Sequence, residues 1–288
     1  MALRSEGSYS ALEIPYHTRS LGMSVVGAAD WHGMDISSIN PSLLQSSNQS
    51  LLMSVVRYPA DIQTGLVEWR QALGNRKVAI TLRHVKYGAF DKRGDDGIKT
   101  GQFTAGDTWI SVSFARKLYK LLDVGMTGGF FFSQIENVNA TLAIVSCGIV
   151  LKIPRFDAQV GASIRNFGYT LKNYTDYHET IPTSLALGLS KKLAHLPMEI
   201  SLDVLWWRKE DRAVVRLGGE FFLPNNFKVR WGTSSYRFDL GTDELWQSYI
   251  AGSSIGLGYV IKNLTVDMGI HYQGAGSAVI GIGISTTR

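Results

Sequence analysis

The sequence predicts an all-β protein, an antiparallel transmembrane β-barrel of about 14 strands of the outer-membrane type, preceded by an irregular N-terminal segment. Three observations lead there. From residue 51 onward, stretches of about ten residues alternate apolar and polar side chains, the period of a strand with two unlike faces. The breaks between them alternate short and long, as in an up-and-down barrel whose rims face different compartments. Charged residues make up only 18% of the 288 positions, whereas glycine occurs 30 times and aromatics reach 11%, a profile suited to strands, bends and membrane interfaces.

In chain order, residues 1–48 form the N-terminal segment and 49–288 the barrel, within a single domain. In "MDISSINPSLLQSS" (34–47), the Asn40-Pro41 step followed by Leu43 and Leu44 reads as a turn entering a short helix, because Pro is tolerated in a first helical turn. Strands are expected at 51–58, 63–71, 76–87, 107–117, 121–133, 141–153, 155–167, 183–193, 196–207, 212–223, 225–235, 249–261, 263–274 and 277–286. In "NLTVDMGIHYQ" the parity is cleanest: Leu264, Val266, Met268, Ile270 and Tyr272 share one face, and Thr265, Asp267, Gly269, His271 and Gln273 the other. "RFDAQVGASIRN" and "PMEISLDVLW" repeat it. Breaks such as "KIPR", "LPNN" and "IKN" are hairpin turns. Residues 88–106, 168–182 and 236–248 read as long loops, assigned to the outside because such barrels have short periplasmic turns. A sheet this large avoids exposed edges by closing on itself.

Alternation alone leaves two orientations open. A soluble barrel points its apolar face inward; a membrane barrel turns it to lipid and encloses the polar face. Strands of about ten residues or more match a tilted crossing of the hydrocarbon. Aromatics near strand ends (Trp69, Tyr87, Trp109, Tyr119, Trp206, Trp207, Tyr249, Tyr259 and Tyr272) read as interface girdles. Both favour the membrane. The lumen would then hold Glu68, Arg70, Arg83, Asp203, Arg212, Arg216, Glu220, Lys228, Arg230 and Asp267, which must pair because charges at membrane depth face inward. Glycines on the inner parity of the last strands (Gly256, Gly258, Gly281 and Gly283) leave room for something inside.

Chemistry is sparse. The net charge of +5 is spread along the chain, so no nucleic-acid partner is expected. A single cysteine, Cys147, excludes an intrachain disulfide. Asp91, Asp95, Asp96 and Asp107 lie among glycines without the closing Glu of a calcium loop, "GLG" and "GIG" lack a following helix, and His32, His84, His178 and His271 are scattered. No metal, cofactor or catalytic residue is expected, and the protein reads as a non-enzyme. No signal peptide is visible at the N-terminus, and the C-terminal "GISTTR" lacks a terminal aromatic.

"LEIPYHTRSLGMSVVGAADWHGMDISSINPSLL" resembles the N-terminal region of the PorV/PorQ family, a branch of the FadL-like barrels, through Leu21-Gly22, Asp35 and Asn40-Pro41-Ser42-Leu43-Leu44. "VKYGAFDKRGDDGIKTGQFTAGD" looks like the PorQ pattern at Tyr87, Gly88, Phe90, Asp91, Gly97, Gly101, Phe103, Ala105 and Asp107. The resemblance implies a component of the type IX secretion and surface-attachment machinery in the outer membrane. Outer-membrane lipid and other secretion-system proteins, or the C-terminal domains of secreted proteins, would be its partners, met through the long loops. It also implies a hatch in which Asn40 caps a turn and Leu43 and Leu44 are buried. A FadL-like transporter of hydrophobic small molecules is the alternative; it requires an apolar pocket in the lumen and a lateral opening.

Overall fold

The computed structural model describes residues 9–32, 39–176, 179–207, 211–238, 250–274 and 277–287. Asp35, His178 and Tyr249 and residues 239–248 of the third expected loop lie outside these. The described residues form fourteen strands: β1 (Gln49–Arg57), β2 (Gln63–Leu73), β3 (Arg76–Arg93), β4 (Lys99–Tyr119), β5 (Leu122–Ile135), β6 (Val138–Ile153), β7 (Ala158–Lys172), β8 (Ser184–Lys192), β9 (Met198–Trp207), β10 (Arg212–Phe222), β11 (Phe227–Ser234), β12 (Ser253–Ile261), β13 (Leu264–Gly274) and β14 (Ser277–Thr287). Each pairs antiparallel with the next, and β1 with β14 closes the ring.

The parity resolves the orientation. On β13, Met268 is 50% exposed on the outer wall while its neighbour Asp267 is 3% exposed and enclosed. Met268 stands between Leu257 of β12 and Ile282 of β14, so the apolar stripes of adjacent strands merge into one oily belt. Such a belt is stable only against acyl chains, and closure satisfies every ladder group that lipid cannot. Cys147 is exposed on the same wall.

Three expectations are corrected. Residues 88–106 are not a loop: β3 and β4 continue as a ribbon past the barrel wall and turn only at Gly94–Gly97. Phe90 stacks on Phe103 (5.3 Å) and Asp91 meets Lys99 (2.6 Å) across it. Alternation fades there because both faces are wet, although the pairing persists. Likewise β7 runs to Lys172, shortening the next loop, while its expected start becomes a 3₁₀ turn at Pro154–Phe156. Trp109 and Trp207 belong to no girdle; both are buried inside, Trp109 on the parity of Ser111 and Ser113.

The N-terminal segment runs through the lumen. Tyr9 packs at one mouth against Phe131 and Tyr174, a one-turn helix (Thr18–Leu21) lies against β12, β13 and β14, and a 3₁₀ turn (Pro41–Gln45) lies against β3, β4, β5 and β6 near the other mouth. Its backbone reaches the wall because the wall offers glycine there. A Cβ at Gly125 would sit 2.5 Å from the Pro41 carbonyl carbon, and one at Gly269 2.7 Å from the Thr18 oxygen. At Gly161 and Gly232 it would overlap the backbone of Ala28 and Met23.

Candidate functional site

At the mouth where β3, β4 and β5 end, the residues enclose a cavity of about 400 Å³. Its walls are Tyr9 from the N-terminal segment, Tyr87 and Phe90 from β3, Phe103 from β4 and Tyr174 from the β7–β8 connection. Tyr87 turns into it because β3 bulges between Lys86 and Ala89, where Gly88 takes φ +86°, a conformation that suits glycine. The Tyr87 hydroxyl donates to Asp107 Oδ2 at 2.6 Å. Ser133 donates to Asp107 Oδ1 and accepts from the Tyr174 hydroxyl. Asp107 in the floor is thus covered by hydroxyls, and Ser10, Ala105, Ile135 and a second carboxylate, Glu179, complete the lining beside the five aromatic rings. Burial, followed by Glu179 for Tyr9 and offset in part by the Ser133 bond for Tyr174, pushes both phenols up to about 12, so they stay neutral at physiological pH. Beneath Tyr9 lies a packed apolar cluster that includes Leu12, Tyr16, Trp109, Phe131, Leu142 and Ile144.

Of the motif residues, Tyr87, Phe90, Phe103 and Asp107 meet at this cavity, with Gly88 shaping it, whereas Asp91, Gly97 and Gly101 lie along the ribbon. Asp95 and Asp96 sit at the ribbon's tip, far along the chain from Asp107, and the four aspartates form no cluster. Asn40, Pro41, Leu43 and Leu44 are all buried at the other mouth, where Asn40 Oδ1 accepts from Ser42 N (3.1 Å) and Asn40 Nδ2 donates to Ala28 O (2.7 Å). Leu44 packs on Ala79 and Ala115.

The enclosed charges bind one another and the N-terminal segment. Arg230 is shared by Glu220 (3.0 Å) and Asp267 (2.7 Å), and the surplus negative charge is met by Arg19, which contacts Glu220 and Asp30 (3.2 Å). Asp203 accepts from the backbone N–H groups of Gly27 (2.7 Å) and Ala28 (2.8 Å), and Arg216 donates to Val25 O (3.2 Å). Glu68 pairs with Arg70 and accepts from Thr81, while Arg83 lies over the rings of Tyr16 (4.8 Å) and Trp109 (5.6 Å). Arg212 covers Trp207 (4.6 Å), and half-buried Lys228 faces Phe222 (5.8 Å). His17 is enclosed among these guanidinium groups; burial first, then Arg70, Arg19 and Arg230, hold its pKa well below the usual imidazole range. His32, Glu199 and Glu220 come together, yet their carboxylates already serve Arg19, Arg230 and Lys192 (3.4 Å from Glu199).

Sequence reasoning missed Arg19, Asp30, Tyr9 and Tyr174. Charge counting gave no sign of Arg19, because β10–β13 already carry Arg212, Arg216, Lys228 and Arg230 against Glu220 and Asp267. Tyr9 and Tyr174 left no periodic signal. The wall is irregular at β7: its register against β6 slips between Val145 and Cys147, Asn166 takes φ +54°, and pairing with β8 ends at Arg165–Ser184, so residues 166–172 have no β8 partner among the described residues.

No protein-family model matches the sequence, and no curated protein matches it. Solved structures do. The Pseudomonas putida toluene transporter TodX matches with TM-score 0.66 at 11% identity, over 95% of this chain and 98% of that one. The chain has the fold of a FadL-type outer-membrane barrel. The Ralstonia pickettii toluene transporter TbuX (TM-score 0.62, 11% identity, 94% and 98% covered) and a Pseudomonas aeruginosa FadL homologue (0.60, 10%, 96% and 99%) share it. At such identities the FadL-type likeness is one of fold.

Proposed function

We propose that this FadL-type barrel admits small hydrophobic molecules from outside the cell, binding them first in the aromatic cavity at its outer mouth. The cavity carries the reading: its volume lies in the range of small-molecule sites, five of its wall residues are aromatic, and a packed apolar cluster lies beneath it. The structural neighbours described as toluene transporters support this transporter alternative above the type IX reading. The N-terminal segment acts as a hatch: bonded to the wall around its circumference, it obstructs an axial path. Passage then turns sideways through the wall above Arg165 and Ser184, where β7 and β8 part company. Titrating toluene into the detergent-solubilised protein, with its tryptophan fluorescence as reporter, tests the binding step. Saturable quenching that weakens in Tyr9→Ala and Phe103→Ala supports it; no saturable change, or identical curves for both variants, defeats it.

One observation favours a PorQ-like role beside this. The β3–β4 ribbon projects past the wall and exposes Phe90 and Ile98, the kind of surface a protein partner would cover. Replacing residues 91–105 with a short Gly-Ser turn leaves the barrel assembled and abolishes surface display of partner proteins on this reading; unchanged display rejects it.

A further inference from the structure

The outer wall of β3–β6 changes character in one step. Leu82, Ile110, Phe130 and Ala143 form a cross-strand row of the oily belt. The next outward row is His84, Thr108, Phe132 and Thr141, and the one above it Lys86, Gly106, Gln134 and Asn139. These two rows line a groove of about 550 Å³. Gly106 deepens it, since a Cβ there would meet the His84 ring at 3.4 Å. His84 Nδ1 is fixed by the Thr108 hydroxyl at 2.9 Å, and Lys86 forms no ion pair among the described residues. Glu136, in the turn above, is held by Lys92 (2.5 Å).

A polar groove cut into a lipid-facing wall, at the level where hydrocarbon contact ends, meets headgroups rather than acyl chains. Two cationic or protonatable groups suit phosphate, and the amide and hydroxyl groups of Gln134, Asn139, Thr108 and Thr141 suit a ring of sugar hydroxyls. Phe132 offers a flat apolar face between them. We infer that this groove is a docking site for a phosphorylated glycolipid of the outer leaflet, which holds the β3–β6 wall in place beside the mouth. It rests on the wall alone and stands whether or not hydrocarbons are transported.

Native mass spectrometry of the full chain in nanodiscs doped with a bisphosphorylated diglucosamine lipid tests it. The wild type retains that lipid, Lys86→Gln lowers retention about fivefold, the effect of one cation at a membrane surface, and His84→Gln lowers it as well. Gln134→Leu with Asn139→Leu, which leaves both cations in place, lowers retention as well. Equal retention of phosphatidylglycerol, equal retention of the dephosphorylated glycolipid, displacement by millimolar inorganic phosphate, or variants indistinguishable from wild type would each overturn the assignment. Heat-modifiable gel migration confirms that every variant is folded.

Discussion

Replacing Arg19 by Met should release the N-terminal segment while leaving the barrel closed. In the native lumen Glu220, Asp267 and Asp30 are held by Arg19 and Arg230, all nearly inaccessible, with an excess of one carboxylate. Methionine fills the space but removes one cation, so Arg230 alone faces three carboxylates. Breaking a buried ion pair by deleting one partner costs about 3–5 kcal/mol. At about 1.4 kcal/mol per tenfold, the undocked population rises about 10²- to 10⁴-fold. Hydrogen exchange in micelles reads this directly: amides of residues 21–30 should lose that much protection while those of β12–β14 keep theirs. Adding Glu220→Gln returns the cluster to its native excess of one carboxylate and restores part of the protection. Unchanged exchange in the single variant, or a double variant no better than the single, would refute the balance described for this cluster.

Other perturbations probe other parts. Gly161→Leu or Gly232→Val places a side chain in the backbone of Ala28 or Met23 and should expose Arg19 to trypsin in the folded barrel; a protected Arg19 counts against the fit. Met268→Arg puts a charge on the oily belt and should lower bilayer stability by about 2–4 kcal/mol in urea titrations, whereas an unchanged midpoint would deny that this face meets lipid. Tyr9→Ala should weaken toluene binding about 2- to 13-fold, the 0.5–1.5 kcal/mol of an aromatic pair; full-strength binding removes Tyr9 from the site. His17 docks neutral with a depressed pKa, so segment docking is at full strength above pH 6.5 and weakens as pH falls below it, because only the undocked imidazole takes up the proton. Exchange of residues 18–21, corrected for intrinsic rate, should rise between pH 7.5 and 5.5, and a flat profile would contradict it.

The strands were legible because one face of each must be apolar: Met268 beside Asp267, or Ile282 beside Gly283, declares its side by type alone. Where that constraint lapses, so does the signal. Past Lys86 the β3–β4 pair leaves the hydrocarbon, both faces meet water, and a ribbon reads as a loop. Asn166 kinks β7 without any glycine or proline to mark it. Trp109 was readable after all, since Ser111 and Ser113 share its parity and Ile110, Val112 and Phe114 face out. The cavity was only half visible. Tyr87, Phe90, Phe103 and Asp107 sit within one motif, but Tyr9 and Tyr174 arrive from 78 residues before Tyr87 and 87 residues after it, a meeting that only ring closure creates.

Thr18 lies against the seam of the ring. Its N–H and hydroxyl both reach Ser54 Oγ on β1 (3.1 and 2.6 Å), and its side chain fills the space above Gly281 and Gly283 on β14. Ser54 and Gly283 are themselves partners across that junction. A polypeptide delivered from its amino end therefore carries the clasp well before the final hairpin exists. Its hydrogen bonds to the first strand can form early, but its packing on Gly281 and Gly283 waits for the last strand, so closure of the ring and full seating of the clasp are coupled.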